Sequence, residues 1–190
     1  MKTIIRAWKP ILLWGLGLVA VLMVGAVIDG SGVSGTCMFI LLPYFAAITA
    51  VVPAITVNRF GTGMATFLPY VLLGFFPLYY FDWLQSRSLV GLWAVFVYAA
   101  SGFVIGAGMD LVNEGAGRFS ERTRAILLGA TMQAVTFAVM LVGLTYLYTP
   151  TSNMASHLHF FDRVWYFTLP WMVVNGALGG YTAYALKKRV

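Results

Sequence analysis

The chain has 190 residues, of which 61% are hydrophobic and only 9% are charged. A water-soluble domain carries about 25% charged residues, so the composition excludes an ordinary soluble globular protein and predicts an integral membrane protein. The formal net charge of +6 does not predict nucleic-acid binding, because the basic residues flank apolar segments and form no single cluster. The single cysteine, Cys37, excludes an internal disulfide and a Cys-x-x-Cys redox motif.

Six apolar segments are long enough to cross a bilayer, for which about 20 residues suffice. In chain order they cover 11–28, 36–57, 62–81, 89–109, 125–147 and 163–186. The first run exceeds the apolar core of a signal peptide, so we interpret it as an uncleaved helix. No stretch with the length of a water-soluble domain is left over. We therefore predict one all-α integral membrane domain over residues 1–190, a bundle of six transmembrane helices.

The basic residues predict the orientation of this bundle. Ten of them fall in the termini and loops on the N-terminal side, and only Arg87 and Arg163 fall on the other side. Cytoplasmic loops carry an excess of Lys and Arg. We therefore expect a multi-pass protein of the cell (plasma) membrane with both termini in the cytoplasm.

The second and third segments are rich in proline, which removes a helical hydrogen bond and tends to kink the axis. The prolines are Pro43, Pro53, Pro69 and Pro77. They are typical of hinged helices around a cavity, and equally of the ordinary tolerance of membrane helices for proline. Aromatic residues follow at Tyr79, Tyr80 and Trp83, and they predict either the wall of a ligand pocket or an interfacial belt.

Small residues predict close helix packing in the fourth and sixth segments. Gly102 and Gly106 have the spacing of a packing motif, and Gly176 and Gly180 repeat it. Asp110 is predicted at the cytoplasmic end of the fourth helix. The charged loop 110–124 then begins, and it is either a solvated connection or a docking surface for a cytoplasmic or membrane partner.

The fifth segment contains Gln133 and Thr136, but no ionisable residue lies deep in any of the six segments. Such residues usually mark proton relays, ion pathways and sites for charged substrates. The pattern argues against a proton-coupled pump and against a histidine-bound haem. A ligand at mid-depth would be held by amides, hydroxyls and aromatic faces.

The outer loop before the last segment holds His157, His159 and Asp162, which are metal-ligand residue types. In a strand-like segment both histidines would point the same way, but no fourth ligand is near in the sequence. The alternatives are a metal, a ligand-gating role or no specific role, and we predict no metal site and no cofactor. The chain has no phosphate-binding glycine loop and no nucleophile–histidine pair, so we predict no enzyme.

The last segment begins with Trp165 near the membrane boundary, continues through Pro170 and Trp171, and carries an amide at Asn175 near mid-depth. Two stretches, GFVIGAGMD (102–110) and PWMVVNGALGGYTAYAL (170–186), resemble the glycine-rich helix ending in aspartate and the final helix of the S components of energy-coupling factor vitamin transporters. The number of segments and the chain length are also similar to that family.

The resemblance implies a membrane subunit that captures a vitamin, a vitamin precursor or a metal outside the cell. It also implies delivery by toppling in a complex with a transmembrane coupling subunit and two cytoplasmic ATPases. Under this hypothesis the ligand contacts come from the aromatic, histidine and amide side chains of the outer half. These are Tyr79, Tyr80, Trp83, Tyr146, His157, His159, Trp165, Trp171 and Asn175.

Other classes of protein remain open. A stand-alone channel or permease would use the glycine faces of the fourth and sixth helices as seams between copies. An accessory subunit of a larger membrane complex would need no ligand. An intramembrane enzyme is the least supported, because catalytic groups are missing.

Overall fold

The structure, a computed structural model, describes the backbone of residues 2–30, 41–75, 89–142 and 152–189. It describes the side chains of residues 8–24, 41–73, 100–139, 141–142 and 166–189. Over the described ranges the regular secondary structure is all helical, with six α-helices and no strand. The all-α prediction is confirmed.

Each of the six helices coincides with one predicted segment, and the first, fourth and sixth helices cover their segments completely. They are α1 (Lys2–Gly30), α2 (Leu42–Val57), α3 (Thr62–Pro69), α4 (Leu89–Gly115), α5 (Glu121–Val142) and α6 (Ser152–Lys187). A π-helical segment, Tyr70–Phe75, continues α3, and a 3₁₀ turn, Ala116–Arg118, follows α4. In the part of the chain that the structure describes, no helix meets the combined length and hydropathy of a membrane-crossing segment.

Two of the predicted loops are wrong. Helix α4 continues to Gly115, so most of the predicted loop 110–124 is helical and only residues 119–120 connect the 3₁₀ turn to α5. Helix α6 begins at Ser152, so the segment of His157 and His159 is helical and not strand-like. Residues 152–169 contain neither Gly nor Pro, and nothing in them stops a helix that already extends toward the C-terminus.

The prolines differ in their effect. Pro43 lies in the first turn of α2, where it interrupts no bond of the described helix, so a break there was a wrong expectation. Pro53 lies inside α2, and Pro69 is the last residue of α3 before the π-helical segment. A change of hydrogen-bond register at a proline is a usual response to its missing donor. Pro77 lies outside the described residues.

Helix α2 is the centre of the bundle. It contacts α1, α3, α5 and α6, and its ten residues 46–55 are all buried. A helix that is apolar all round is typical of such a central position. Its alanines leave room for close neighbours, while the other helices contact one another in the pairs α1–α3, α3–α4, α4–α5 and α5–α6.

The outer helices carry their large apolar side chains outward. On α6 these outward residues recur every three or four positions, and they are Phe167, Trp171, Val174, Leu178 and Tyr181. The opposite side of α6 is buried and holds mainly small residues and one amide, namely Met172, Asn175, Gly176, Gly179, Gly180 and Ala183. On α1, Leu13 and Leu16 are exposed while Gly15 is buried. On α6 the large apolar side chains thus lie mainly outward, which is the opposite of a soluble amphipathic helix, whereas α1 carries large apolar side chains on both sides, because Ile11 and Leu18 are buried.

Candidate functional site

Helix ends from five elements meet at one end of the bundle. We call this region the polar end and define it as residues 55–64, 110–124 and 184–189. Except for Lys9, every charged side chain that the structure describes belongs to it. These are Arg59, Asp110, Glu114, Arg118, Glu121, Arg122, Arg124, Lys187, Lys188 and Arg189.

Asp110 is the most deeply buried charged group of the polar end, with 1% of its surface exposed. Its Oδ1 accepts a hydrogen bond from the backbone N–H of Gly63 at 2.7 Å, and its Oδ2 accepts one from Met64 at 3.2 Å. The first N–H groups of a helix have no partner within that helix. The Asp110 carboxylate therefore caps α3 from α4, and its negative charge faces the positive end of the α3 dipole.

Asp110 lies one residue beyond the predicted fourth span. Burial raises the pKa of its carboxyl above the ordinary value, and the hydrogen bonds from Gly63 and Met64 act in the opposite direction. The sequence reason for the close approach is a pair of glycines. A Cβ on Gly106 would lie 2.6 Å from the Cα of Met64, and a Cβ on Gly63 would overlap the carbonyl oxygen of Gly106.

The second predicted glycine of α4, Gly102, has a looser environment. A Cβ there would lie 3.0 Å from the Cγ2 of Val71, which is a side-chain atom and not backbone. The tight contact between α3 and α4 is therefore concentrated at Gly106, one turn before Asp110.

Asn58 links three helices at the polar end. It ends α2 in a left-handed conformation with φ of 48°. Its Oδ1 accepts hydrogen bonds from Arg124 Nη1 at 2.9 Å and from Asn113 Nδ2 at 3.3 Å. Asn113 Oδ1 and Arg124 Nε are buried and have no hydrogen-bond partner within the described residues. Asn58 thus connects the end of α2 with α4 and α5.

Lys187 ties the C-terminal end of α6 to two other helices. Its Nζ donates a hydrogen bond to the carbonyl oxygen of Ile55 at 3.0 Å and forms an ion pair with Glu121. The last carbonyls of a helix lack partners within that helix, so Lys187 satisfies the end of α2. Lys188 lies over the ring of Tyr184, and the hydrogen bond to that phenol raises the pKa of the Lys188 ammonium.

Helices α5 and α6 meet along backbone atoms. A Cβ on Gly129 would overlap the carbonyl oxygen of Gly176, and a Cβ on Gly180 would overlap that of Ala125. We call the contact of Ala125, Gly129, Gly176 and Gly180 the α5–α6 seam. Sequence reasoning named Gly176 and Gly180 but missed Gly129. The signal was present, because Ala125-x-x-x-Gly129 is itself a small-residue packing pattern.

Two of the predicted ligand residues have described side chains, and they face different ways. Asn175 is buried, and its Nδ2 donates to the carbonyl oxygen of Trp171 one turn earlier at 2.9 Å. The Trp171 ring is exposed and stacks on Phe167, with ring centroids 6.5 Å apart and planes 8° apart. The Trp171 ring and the Asn175 amide thus have different surroundings, and their role as ligand contacts stays a prediction.

The other predicted ligand residues stay predictions, because their side chains lie outside the described part. They are Tyr79, Tyr80, Trp83, Tyr146, His157, His159 and Trp165. The same holds for Cys37 and for Asp162. Among the side chains that are described, no three metal-ligating groups come together.

The polar residues of α5 contribute to packing. Gln133 is 2% exposed, and its Nε2 donates to the carbonyl oxygen of Pro43 at 2.8 Å. Thr136 donates to the carbonyl oxygen of Met132 within its own helix at 2.7 Å. Tyr44 and Thr182 share a further hydrogen bond at 2.8 Å between α2 and α6.

With this geometry in hand, comparison with known proteins adds no relative. No family model, no curated protein and no solved structure matches the chain. The class that the described part of the chain defines is an all-α bundle of six helices, in which the described charges except Lys9 lie at the polar end.

Proposed function

We propose that the chain is a multi-pass protein of the cell membrane with six transmembrane helices. The observation that carries this proposal is the apolar outer surface of α1 and α6, where Leu13, Leu16 and Phe167 are exposed, together with the glycines and the amide on the buried side of α6. Large exposed apolar surfaces mark contact with membranes or partners. Inside such bundles, small residues let helix backbones approach closely.

The polar end supports the predicted orientation. The described charges gather there, while the middle of each described helix is uncharged. This matches the positive-inside pattern of the sequence and favours the polar end as the cytoplasmic face, with both termini on that side. Each of the six predicted spans also includes residues whose side chains are not described, so the proposal rests on the sequence for the complete spans.

Within the membrane, we propose that the protein is the substrate-binding subunit of an uptake system driven by partner ATPases. The resemblance to S components supports this assignment. The first resembling stretch ends at Asp110, whose carboxylate caps α3, and the second contains Gly176 and Gly180 of the α5–α6 seam. Asp110, Gly176 and Gly180 thus belong to the scaffold, and we assign ligand recognition to the aromatic outer half, which includes Trp171 and Asn175 at the start of the second stretch.

The substrate class follows from the residues predicted at that outer end. They offer aromatic faces, imidazoles and a few amides, and these groups suit an uncharged or weakly charged aromatic molecule of vitamin size. The proposed partners are a transmembrane coupling subunit and cytoplasmic ATPases, which supply the energy for transport.

The described contacts argue against one alternative function, a channel, and favour another, an accessory subunit. A homo-oligomeric channel would use the glycine faces as contacts between copies. These faces are not free for a second copy, because Gly106, Gly176 and Gly180 contact helices of the same chain. An accessory subunit without a ligand is the second candidate. It is favoured by Asn175, a predicted ligand contact whose amide is bonded to its own helix.

Native mass spectrometry of the gently solubilised protein, expressed in its own host, tests the uptake proposal. We expect a bound small molecule and co-purifying ATPase subunits. The matched variants are Trp83→Ala at the aromatic outer end and Phe103→Ala on the exposed side of α4. Loss of the small molecule from the first variant alone would support the proposed site.

Three results would contradict the proposal. A ligand-free complex with unrelated membrane subunits would establish the accessory role. Solute flux through the purified protein alone would establish a permease. Purification of the protein as a stable monomer without detergent would overturn the membrane location itself.

A further inference from the structure

Two connections at the polar end carry the same pair of residues, an arginine followed by a phenylalanine. Arg59–Phe60 joins α2 to α3, and Arg118–Phe119 joins α4 to α5. All four side chains are exposed, the phenylalanines by 61% and 57%. Neither guanidinium has a hydrogen-bond or ion-pair partner among the described residues. The scaffold contacts described above do not use either pair.

Both pairs lie at the polar end, next to residues that are hydrogen-bonded to Asn58. Asn58, which directly precedes Arg59, accepts hydrogen bonds from Asn113 and Arg124. These two residues flank the second pair on its two sides in the sequence. Both connections therefore adjoin the same hydrogen-bonded residues, although 57 residues lie between Phe60 and Arg118 along the chain.

The two pairs lie close to the ends of predicted membrane spans. Arg59 and Phe60 lie within three residues of the spans that end at 57 and begin at 62. Phe119 lies six residues before the span that begins at 125. The helical residues from 121 to 125 rise about 1.5 Å each and the two non-helical steps before them at most about 3.5 Å each, so Phe119 lies within about 13 Å of that span. The headgroup layer outside the hydrocarbon core is about 5–8 Å thick on each face. Arg59 and Phe60 thus lie at the headgroups of the cytoplasmic leaflet, and Phe119 lies at most about one headgroup-layer thickness outside them.

We propose that the two Arg–Phe pairs form a binding site for the phosphate groups of anionic phospholipids in the cytoplasmic leaflet. The proposal rests on the membrane location proposed above but not on the substrate or the ATPases. Arginine forms bidentate bonds with phosphate, and an aromatic ring beside it enters the interfacial layer. Basic side chains at this end outnumber acidic ones, so the site is complementary in charge to an anionic leaflet.

A titration of the detergent-solubilised protein tests this proposal, with bound lipid counted by native mass spectrometry. The probe is phosphatidylglycerol, and phosphatidylcholine and soluble glycerol phosphate are the controls. We expect wild-type protein to prefer phosphatidylglycerol to both. The double variant Arg59→Gln/Arg118→Gln should weaken phosphatidylglycerol binding about tenfold or more, since each basic residue near an anionic surface contributes on the order of 1 kcal/mol.

The matched control is Arg122→Gln/Lys188→Gln, which removes two charges from the same end. Those two cations lie over the rings of Tyr181 and Tyr184 at 4.9 and 4.8 Å, outside the Arg–Phe pairs. Its phosphatidylglycerol affinity should stay within about twofold of the wild type, because these two cations are held over tyrosine rings and are not part of the Arg–Phe pairs. If the first double variant does not fold, the single substitutions Arg118→Gln and Arg122→Gln carry the same comparison.

The proposal is overturned if both double variants lose lipid equally, because the effect would then be diffuse charge. It is also overturned if neither changes, or if crosslinks from the two loops capture an acidic protein surface in place of lipid. These results are independent of the uptake proposal. Lipid preference can be lost while the substrate and ATPases stay bound, and the reverse is equally measurable.

Discussion

The polar end and the α5–α6 seam hold helices together by opposite physical means. At the polar end, side chains that differ in charge reach across gaps and satisfy helix termini, as Asp110 does for α3. At the seam, side chains are missing, and Gly129 and Gly176 bring two backbones into direct contact. A polar bond can be weakened in steps, whereas a backbone contact tolerates no added atom. Substitutions at the seam should therefore cause large losses of stability, whereas substitutions at the polar end should cause smaller losses that depend on the residue introduced.

The largest effect is expected at the seam. Gly129→Ala places a methyl group on the carbonyl oxygen of Gly176, so the helices must separate. Overpacking usually costs about 1–3 kcal/mol, and a clash with backbone should reach about 3 kcal/mol or more. Thermal unfolding in detergent measures this change.

The control for the seam is Gly117→Ala in the 3₁₀ turn, where a Cβ would meet no atom within 4 Å. Its unfolding midpoint should equal that of the wild type. Equal midpoints for Gly129→Ala and Gly117→Ala would show that α5 and α6 are not in the described contact.

The next largest effect is expected at Asp110. Asp110→Ala leaves the N–H groups of Gly63 and Met64 buried without an acceptor, which should cost about 2 kcal/mol of unfolding free energy. Asp110→Asn keeps one acceptor but loses the charge, so its loss should be smaller. Chemical denaturation followed by tryptophan fluorescence gives both values.

Glu114→Gln serves as the comparison for Asp110. It removes a carboxylate from the same helix, four residues later, at an exposed position. We expect no measurable change in stability for this variant. If it destabilised the protein as much as Asp110→Ala, general electrostatics and not the α3 cap would explain the loss.

The smallest effect is expected at the ion pair of Lys187 and Glu121. Both side chains are partly exposed, at 30% and 39%, and such pairs contribute about 0–1 kcal/mol. Glu121→Gln should lower stability by about 0.5 kcal/mol or less, and the difference should shrink at high salt. A double-mutant cycle with Lys187→Met measures the interaction free energy of the ion pair separately from the hydrogen bond between Lys187 and the Ile55 carbonyl.

Some of these features were predictable from the sequence and others were not. The runs of apolar residues predict six helices because helix length and hydropathy are properties of neighbouring residues. The small-residue spacings at Gly106, Gly176 and Gly180 were visible for the same reason. The helical segment before residue 163 was missed, because hydropathy detects apolar runs and not the absence of helix breakers in SNMASHLHFFD.

The candidate ligand site was predicted only from residue types and from their location in the outer half of the bundle. These two criteria do not determine the surroundings of each side chain. Both Trp171 and Asn175 occur in the predicted outer half of one helix. Residues four apart lie on neighbouring positions of one helix face, yet such spacing does not decide how deeply each side chain is buried or which group it binds. The Trp171 ring faces outward and the Asn175 amide binds its own backbone.

The sequence by itself determined that the chain is helical and that its charges lie outside the apolar segments, because both are local properties of composition and period. Only the tertiary structure decided which helix end each polar group satisfies. Asp110 reaches Gly63, 47 residues away, and Asn58 reaches Arg124, 66 residues away. Such pairings depend on which helices pack together, and that choice is made by the glycine contacts of the whole bundle.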